Sequence, residues 1–208
     1  MNIIFLGPQS SGKGTQAALL SKALDIPVVT TGNILRNRKK IDDEKGRLIA
    51  SLIDKGHFVP DDLIDGIVRE ELQKKDYAKG VILDGYPRNE HQAKELEKYL
   101  EINKAIFLDV PDGIVMQRML ARRICENCGE NYNLDSKPPK KEGVCDICGG
   151  KLILRHDDTK EAIAVRLNTY HEKTKPLIDY YKTQNKLLHI DGKGTIEEVC
   201  RDIKKALK

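Results

Sequence analysis

No tryptophan occurs among the 208 residues of this chain, and aromatic residues make up only 5%. A surface that stacks bases on interleaved aromatics is therefore not written into the sequence. Charge of one sign is also scarce: 36 basic against 32 acidic residues leave a net +4, too little to make nucleic acid the main partner. Small anions are the better match for that excess. No apolar run approaches the roughly 20 residues of a membrane helix. The first apolar run starts at Met1 with no leader before it, so the cytoplasm is the expected location. Repeats and low-complexity stretches are missing. The histidines, His57, His91, His156, His171 and His189, are scattered, and no nucleophile–His–Asp set offers itself.

What remains is an ordinary globular composition, 39% hydrophobic and 33% charged, long enough for one core and one or two small insertions. Short apolar runs at residues 3–6, 27–30, 81–83, 105–109 and 187–190 alternate with helical periodicity at 15–24, 48–55, 61–74, 89–100, 112–124, 160–182 and 196–207. Such alternation predicts an α/β fold: a five-stranded parallel sheet with helices on both faces. Ligands of such sheets sit at the carboxyl ends of the strands. Two stretches break the pattern, about 31–59 and about 122–158, and are expected to be insertions over that edge.

Directly after the first run comes Gly7-Pro8-Gln9-Ser10-Ser11-Gly12-Lys13-Gly14-Thr15. A glycine-bearing loop between a strand and a helix start turns successive N–H groups inward around phosphate oxygens, and the helix N-terminus adds partial positive charge. Lys13 can reach the outer phosphates of a nucleoside triphosphate. The commoner motif has Ser or Thr directly after the lysine to hold Mg²⁺; here Gly14 intervenes and Thr15 comes one step later. The run Val81-Ile82-Leu83 ends in Asp84, placed as the second acidic element of a P-loop enzyme or as a turn cap before Gly85.

Cys125-Glu126-Asn127-Cys128-Gly129 and Cys145-Asp146-Ile147-Cys148-Gly149 form two knuckles separated by 16 residues. That spacing predicts a closed four-thiolate Zn²⁺ site with no open coordination position, hence a structural one; another soft metal fits the same tetrahedron. Arg122-Arg123 precede this ribbon and Arg155-His156-Asp157-Asp158 follow it, which suits a lid that swings over phosphates and excludes water. Asp157 and Asp158 either pair with lid arginines or form a solvated turn. Cys200 stands apart in a helical pattern.

Together the loop Gly7–Thr15 with its Lys-Gly-Thr ending, Thr31-Gly32 with Arg36, Asp84-Gly85-Tyr86-Pro87-Arg88 and the four-cysteine ribbon resemble adenylate kinase, in its long form with a zinc-carrying lid, over essentially the whole chain. The resemblance implies a P-loop kinase core of residues 1–30, 60–121 and 159–208, a helical segment 31–59 that takes the nucleoside monophosphate, and a lid 122–158. It implies that Ser10, Ser11, Gly12, Lys13, Gly14 and Thr15 wrap the ATP phosphates, and that Arg118, Arg122, Asn131 and Tyr132 meet ATP from the lid side. Gly194 would meet the adenine through its backbone. Thr31, Arg36, His57, Phe58, Val59, Gly85, Tyr86, Pro87, Arg88 and Gln92 would form the AMP site, and Arg155 and Arg166 would hold phosphates of both substrates. Asp84 would hold Mg²⁺ through water. The catalytic set is then Lys13, Asp84, Arg88, Arg122, Arg155 and Arg166, acting on ATP and AMP to give ADP, in a protein for which nothing suggests more than a monomer. UMP or CMP as acceptor, or a non-enzymatic zinc ribbon switched by ATP, are the alternatives. The chain departs from the family at Ser10 (usually Gly), at Pro8 (usually one place later), at Asn33 (usually Asp) and at Tyr86 (usually Phe).

Overall fold

A computed structural model describes residues 1–74, 77–155 and 158–208; His156 and Asp157 of the expected lid hinge lie outside the described residues. The main sheet holds five parallel strands, β1 (Ile3–Leu6), β2 (Val28–Thr30), β3 (Ile82–Asp84), β4 (Lys104–Asp109) and β8 (Leu187–Asp191), in the order β2-β3-β1-β4-β8. The central strand is buried along its whole length, because both of its faces are covered. Ile4 and Leu6 pack with Val29, Leu83 and Leu96 on one side, and Ile3 and Phe5 with Ala17, Leu20 and Ile203 on the other. That is why β1 reads as a continuous apolar run rather than an alternating one. Each such side chain removed from water contributes about 1.5–3 kcal/mol.

Helices α1 (Lys13–Leu24), α2 (Thr31–Arg38), α3 (Glu44–Ile53), α4 (Asp61–Gln73), α5 (Glu90–Glu97) and α6 (Asp112–Leu120) lie between the strands. A small antiparallel sheet follows, β5 (Arg122–Cys125), β6 (Asn131–Asn133) and β7 (Leu152–Ile153), ordered β6-β5-β7. Then come α7 (Lys160–Thr169), a π-helical turn at Tyr170–Thr174, α8 (Leu177–Thr183) and, after β8, α9 (Ile196–Ala206). This is the α/β P-loop kinase architecture the sequence predicts.

Four boundaries differ from the sequence pattern, each for a local reason. Helix α2 was not resolved by periodicity, since only Thr31 and Leu35 of its eight residues are buried. Helix α3 starts at Glu44, earlier than its apolar stripe, because Asp43 caps it by accepting from Gly46 N at 2.7 Å. The helix expected over 112–124 stops at Leu120, since residues 122–125 find strand partners on both sides, Arg123 facing Tyr132 and Cys125 facing Leu152. The long helix expected over 160–182 is broken by the π turn, in which Lys175 N donates to Tyr170 O at 2.8 Å.

Candidate active site

The loop between β1 and α1 has the geometry of an anion cradle. Gly7 and Gly12 have φ of +136° and +99°, and a Cβ on Gly7 would lie 2.7 Å from Leu108 O, so only glycine fits there. Ser10 adopts φ +56° with a side chain that disfavours it, at the position where the sequence departs from the family's glycine. Helix α1 begins without a side-chain cap, which leaves its first N–H groups to a ligand. The hydroxyls of Ser10 and Ser11 are buried with no hydrogen-bond partner among the described residues. Lys13 Nζ bends back over the loop and donates to Gly7 O at 2.8 Å and Pro8 O at 2.6 Å. Burial lowers this ammonium to about 8; Arg88 and Arg122 add to the lowering and Asp84 opposes it.

Asp84, at the end of β3, is buried beside this loop. A Cβ on Gly14 would stand 3.2 Å from Asp84 Oδ2, so the place where a commoner P-loop carries its metal-binding hydroxyl is occupied here by the approach of a carboxylate. A hard oxygen donor against a phosphate cradle fits Mg²⁺. Thr15 is exposed and lies a further residue along α1.

Past Asp84 the chain turns at Gly85, φ +88°, where a Cβ would meet Thr31 Oγ1 at 2.7 Å. Thr31 Oγ1 itself donates to Asp84 O at 3.2 Å. Arg88 follows. Its Nε donates to Gly85 O at 2.7 Å and its guanidinium sits 5.0 Å from the centre of the Phe58 ring. Burial lowers Arg88 to about 10, with Arg166 and Arg155 contributing against Asp84. Lys13, Asp84, Arg88, Arg122, Arg155 and Arg166 thus act on one another electrostatically in one region.

Two of these arginines share one carboxylate. Asp158 accepts from Arg122 Nε at 2.7 Å and from Arg166 Nη1 at 3.1 Å, and its side chain is 0% exposed. Of the two sequence readings of Asp158, the pairing is the one found. Arg166 also donates to Ile53 O at 3.3 Å, so it links Asp158 to the end of helix α3. Arg155 is half-buried, and its carbonyl accepts from Asp158 N at 3.0 Å.

On the far side of Arg88, a small cavity is lined by Thr31, Leu35, Phe58, Val59, Ile64, Gly85, Arg88 and Gln92. Of the expected acceptor-site residues, four are not among these. His57 is exposed. Arg36 lies on α2 beside Gly32 and hydrogen-bonds Asn33. Tyr86 and Pro87 are turned into the interior, where Tyr86 Oη donates to Asp65 Oδ1 at 2.7 Å.

Of the residues expected around the ATP nucleoside, Arg118 donates from Nη1 to Gly192 O at 3.0 Å, which brings α6 against the turn carrying Gly194. Tyr132 is buried against Cys145, 3.5 Å from its sulfur, and accepts from Asp146 N at 2.7 Å. Its ring belongs to a small core with Cys125, Cys145 and Leu152, while Asn131 is exposed. Of the pair expected to meet ATP, Asn131 is therefore the accessible member and the tyrosine ring is enclosed.

The four sulfurs of Cys125, Cys128, Cys145 and Cys148 lie within 4.8 Å of one another. Cys125 to Cys148 is 3.4 Å and Cys128 to Cys145 is 3.6 Å, near the about 3.8 Å edge of a tetrahedron built on zinc–sulfur bonds of about 2.3 Å. The donor set fits Zn²⁺, and the backbone N–H of Ile147, 3.4 Å from Cys145 Sγ, adds a donor to a thiolate.

The family model described as adenylate kinase matches residues 5–186. The chain belongs to the adenylate kinase family. It is 45% identical to the adenylate kinase of Thermoanaerobacter sp. (strain X514) over 213 residues, covering 100% of this chain and 98% of that protein. It is 45% identical to the adenylate kinase of Caldanaerobacter subterraneus subsp. tengcongensis, covering 100% and 96%, and 44% identical to that of Clostridium tetani, covering 100% and 98%. Among the described residues no helix is long and apolar enough to cross a membrane.

Sequence reasoning on this adenylate kinase chain missed the carboxylates behind the site. Asp65 under Tyr86, and Asp61 behind Gln92, sit one turn apart at the start of α4. The signal was available only as Asp61-Asp62-Leu63-Ile64-Asp65, which a helix-dipole argument explains equally well.

Proposed function

We infer that this protein transfers the terminal phosphoryl group of ATP to AMP, reversibly, giving two ADP. What carries the reading is the convergence of Lys13 and four arginines around Asp84, between the loop at the start of α1 and the cavity beyond Arg88. An oxygen of the AMP phosphate attacks the terminal phosphorus. The bond to the bridging oxygen breaks, and its electron pair leaves on ADP. Since the attacking oxygen is already ionised near neutral pH, no general base is needed. The protein's part is alignment and charge neutralisation.

On this reading Ser10, Ser11, Gly12, Lys13, Gly14 and Thr15 hold the donor phosphates, with Arg118, Asn131 and Gly194 around the donor nucleoside. Thr31, Arg36, Val59, Arg88 and Gln92 hold the acceptor. Arg122, Arg155 and Arg166 spread bidentate donors over the transferring group. Asp84 would hold Mg²⁺ through water, and the metal would supply charge neutralisation on the donor phosphates. Residues 1–30, 60–121 and 159–208 act as the core, 31–59 as the acceptor-binding segment and 122–158 as the lid, stapled by Zn²⁺ at its four cysteines. One chain supplies every group named, so a monomer in the cytoplasm suffices.

The test is ADP formation from ATP with AMP, UMP or CMP in turn. A clear preference for AMP is expected; a preference for UMP or CMP would reassign the acceptor. Tight binding of a bisubstrate analogue, two adenosines joined through five phosphates, is expected to engage both sites at once.

A further inference from the structure

Gln92 has a fixed polarity. Its Oε1 accepts from Arg88 N at 2.7 Å, and its Nε2 donates to Asp61 Oδ1 at 2.6 Å. A backbone N–H can only donate and a carboxylate can only accept, so these two partners leave one orientation of the side-chain amide. Both partners are themselves held. Asn89 Nδ2 lies 2.9 Å from each Asp61 oxygen, and Thr174 Oγ1 donates to Arg88 O at 2.8 Å. Gln92 is buried, 2% exposed, and lines the acceptor cavity.

An amide has two N–H groups and two carbonyl lone pairs. One of each is spent on Asp61 and Arg88, and one of each is left. Adenine presents an acceptor at N1 beside a donor at N6, which matches a side chain of this polarity. A 6-oxopurine presents the reverse, a donor at N1 beside an acceptor at O6. In the same pose it would need the amide turned over, setting Gln92 Oε1 against the Asp61 carboxylate and Nε2 against the Arg88 N–H.

We propose that Asp61 is a specificity-determining, positioning residue: it locks the Gln92 amide in the sense that reads adenine and rejects a 6-oxopurine monophosphate. The proposal rests on the AMP reading above. A buried polar group left facing a like partner is what gives such sites their discrimination.

The experiment compares kcat/KM for AMP and for inosine monophosphate, with ATP as donor, in the wild type, Asp61→Asn, Asp61→Ala and Gln92→Ala. Asparagine is isosteric and can pair with either sense of the Gln92 amide. In Asp61→Asn and Asp61→Ala the AMP-to-inosine-monophosphate ratio is expected to fall by about tenfold or more, through the KM of the monophosphate, with the KM of ATP unchanged. A ratio that stays within twofold of wild type in either variant, including equal losses for both acceptors, overturns the proposal. If Gln92→Ala collapses the ratio at the same time, the AMP reading survives alone. A wild type that prefers inosine, uridine or cytidine monophosphate overturns the AMP reading and this proposal together. One measurement needs no variant: in the wild type, NMR should show the Gln92 side-chain amide proton that is donated to Asp61 protected from exchange with solvent. Exchange of both Gln92 amide protons at the rate of an exposed side chain overturns the lock.

Discussion

Arg122 Nε donates to Asp158 Oδ2 at 2.7 Å, across the hinge between β5 and α7. The same carboxylate holds Arg166 at 3.1 Å. Two guanidiniums that the proposed function assigns to phosphates are therefore gathered and oriented by one protein anion.

Removing that anion takes from both cations the buried carboxylate they share. Asp158→Ala is expected to cost about 3–5 kcal/mol, the loss typical of breaking a buried pair from one side, or roughly 10 °C in thermal midpoint for a chain of this length. A bound polyphosphate can take the carboxylate's place, so the bisubstrate analogue should raise the midpoint of Asp158→Ala more than that of the wild type. Thermal unfolding with and without the analogue checks both parts. Equal rises would show that Asp158 does not balance these arginines.

Lys13 carries a pH signature. Its folded value, lowered by burial to about 8, lies below that of the unfolded chain. The charged ammonium therefore costs the ligand-free protein stability below pH 8, and the cost is relieved as pH rises from about 8 toward the unfolded value. Phosphate binding reverses this preference. ATP is expected to take up a proton on binding at pH 8.5, read by calorimetry from the dependence of the heat on buffer ionisation, and its affinity should weaken above pH 8. Lys13→Met should abolish the uptake and lower kcat/KM by about 10³-fold or more. AMP-dependent ADP formation that survived the change would remove the loop from the mechanism.

Much of this was readable from the residues. The sheet announces itself because β1 is covered on both faces. The phosphate loop does so because its glycines, lysine and flanking elements must occur together. What hides is whatever depends on a partner distant in sequence. Asp61 is placed by Gln92, 31 residues away, and nothing local points to that pair; Asp158 was legible only as one of two readings, because its partner Arg122 lies 36 residues away. The strand β5 hides for a related reason. Nothing in Arg122–Cys125 alone prefers strand over one more turn of α6 until β6 and β7 stand on either side.

Tyr86 replaces the phenylalanine that the family resemblance implies, and its hydroxyl is bound to Asp65. Burial raises Asp65 above the usual carboxylate range, while Tyr86 pulls it down. Tyr86→Phe should destabilise by about 1–3 kcal/mol near neutral pH, the cost of a buried charged group losing its donor. A folded-state value that is already raised means the carboxylate is disfavoured at high pH, and the substitution raises it further. The penalty should therefore shrink as pH falls through the folded value and Asp65 is protonated. Denaturant midpoints between pH 4 and pH 8 test this; a penalty independent of pH would exclude the carboxylate as partner.

The core under the small antiparallel sheet consists of Cys125, Tyr132, Cys145 and Leu152, too little apolar area to hold three strands without a metal at the four cysteines. Chelation, or Cys148→Ser, is expected to lower the thermal midpoint by on the order of 5–15 °C, with turnover at low temperature falling much less. Activity lost in step with the metal from the lowest temperature would contradict a purely structural site.

The π turn at Tyr170–Thr174 sets Thr174 Oγ1 2.8 Å from Arg88 O. A five-residue turn in a helix is the trace of one residue more than the α-helix needs. Shortening the chain there by one residue would let the turn close as α-helix, in which four residues at about 100° each sweep nearly as far as the five of the wider turn. Leu177 and Tyr181, both 0% exposed, would then keep their places in the core, while the local widening that sets Thr174 against Arg88 would be lost. A deletion here is thus one the fold can absorb and Arg88 cannot.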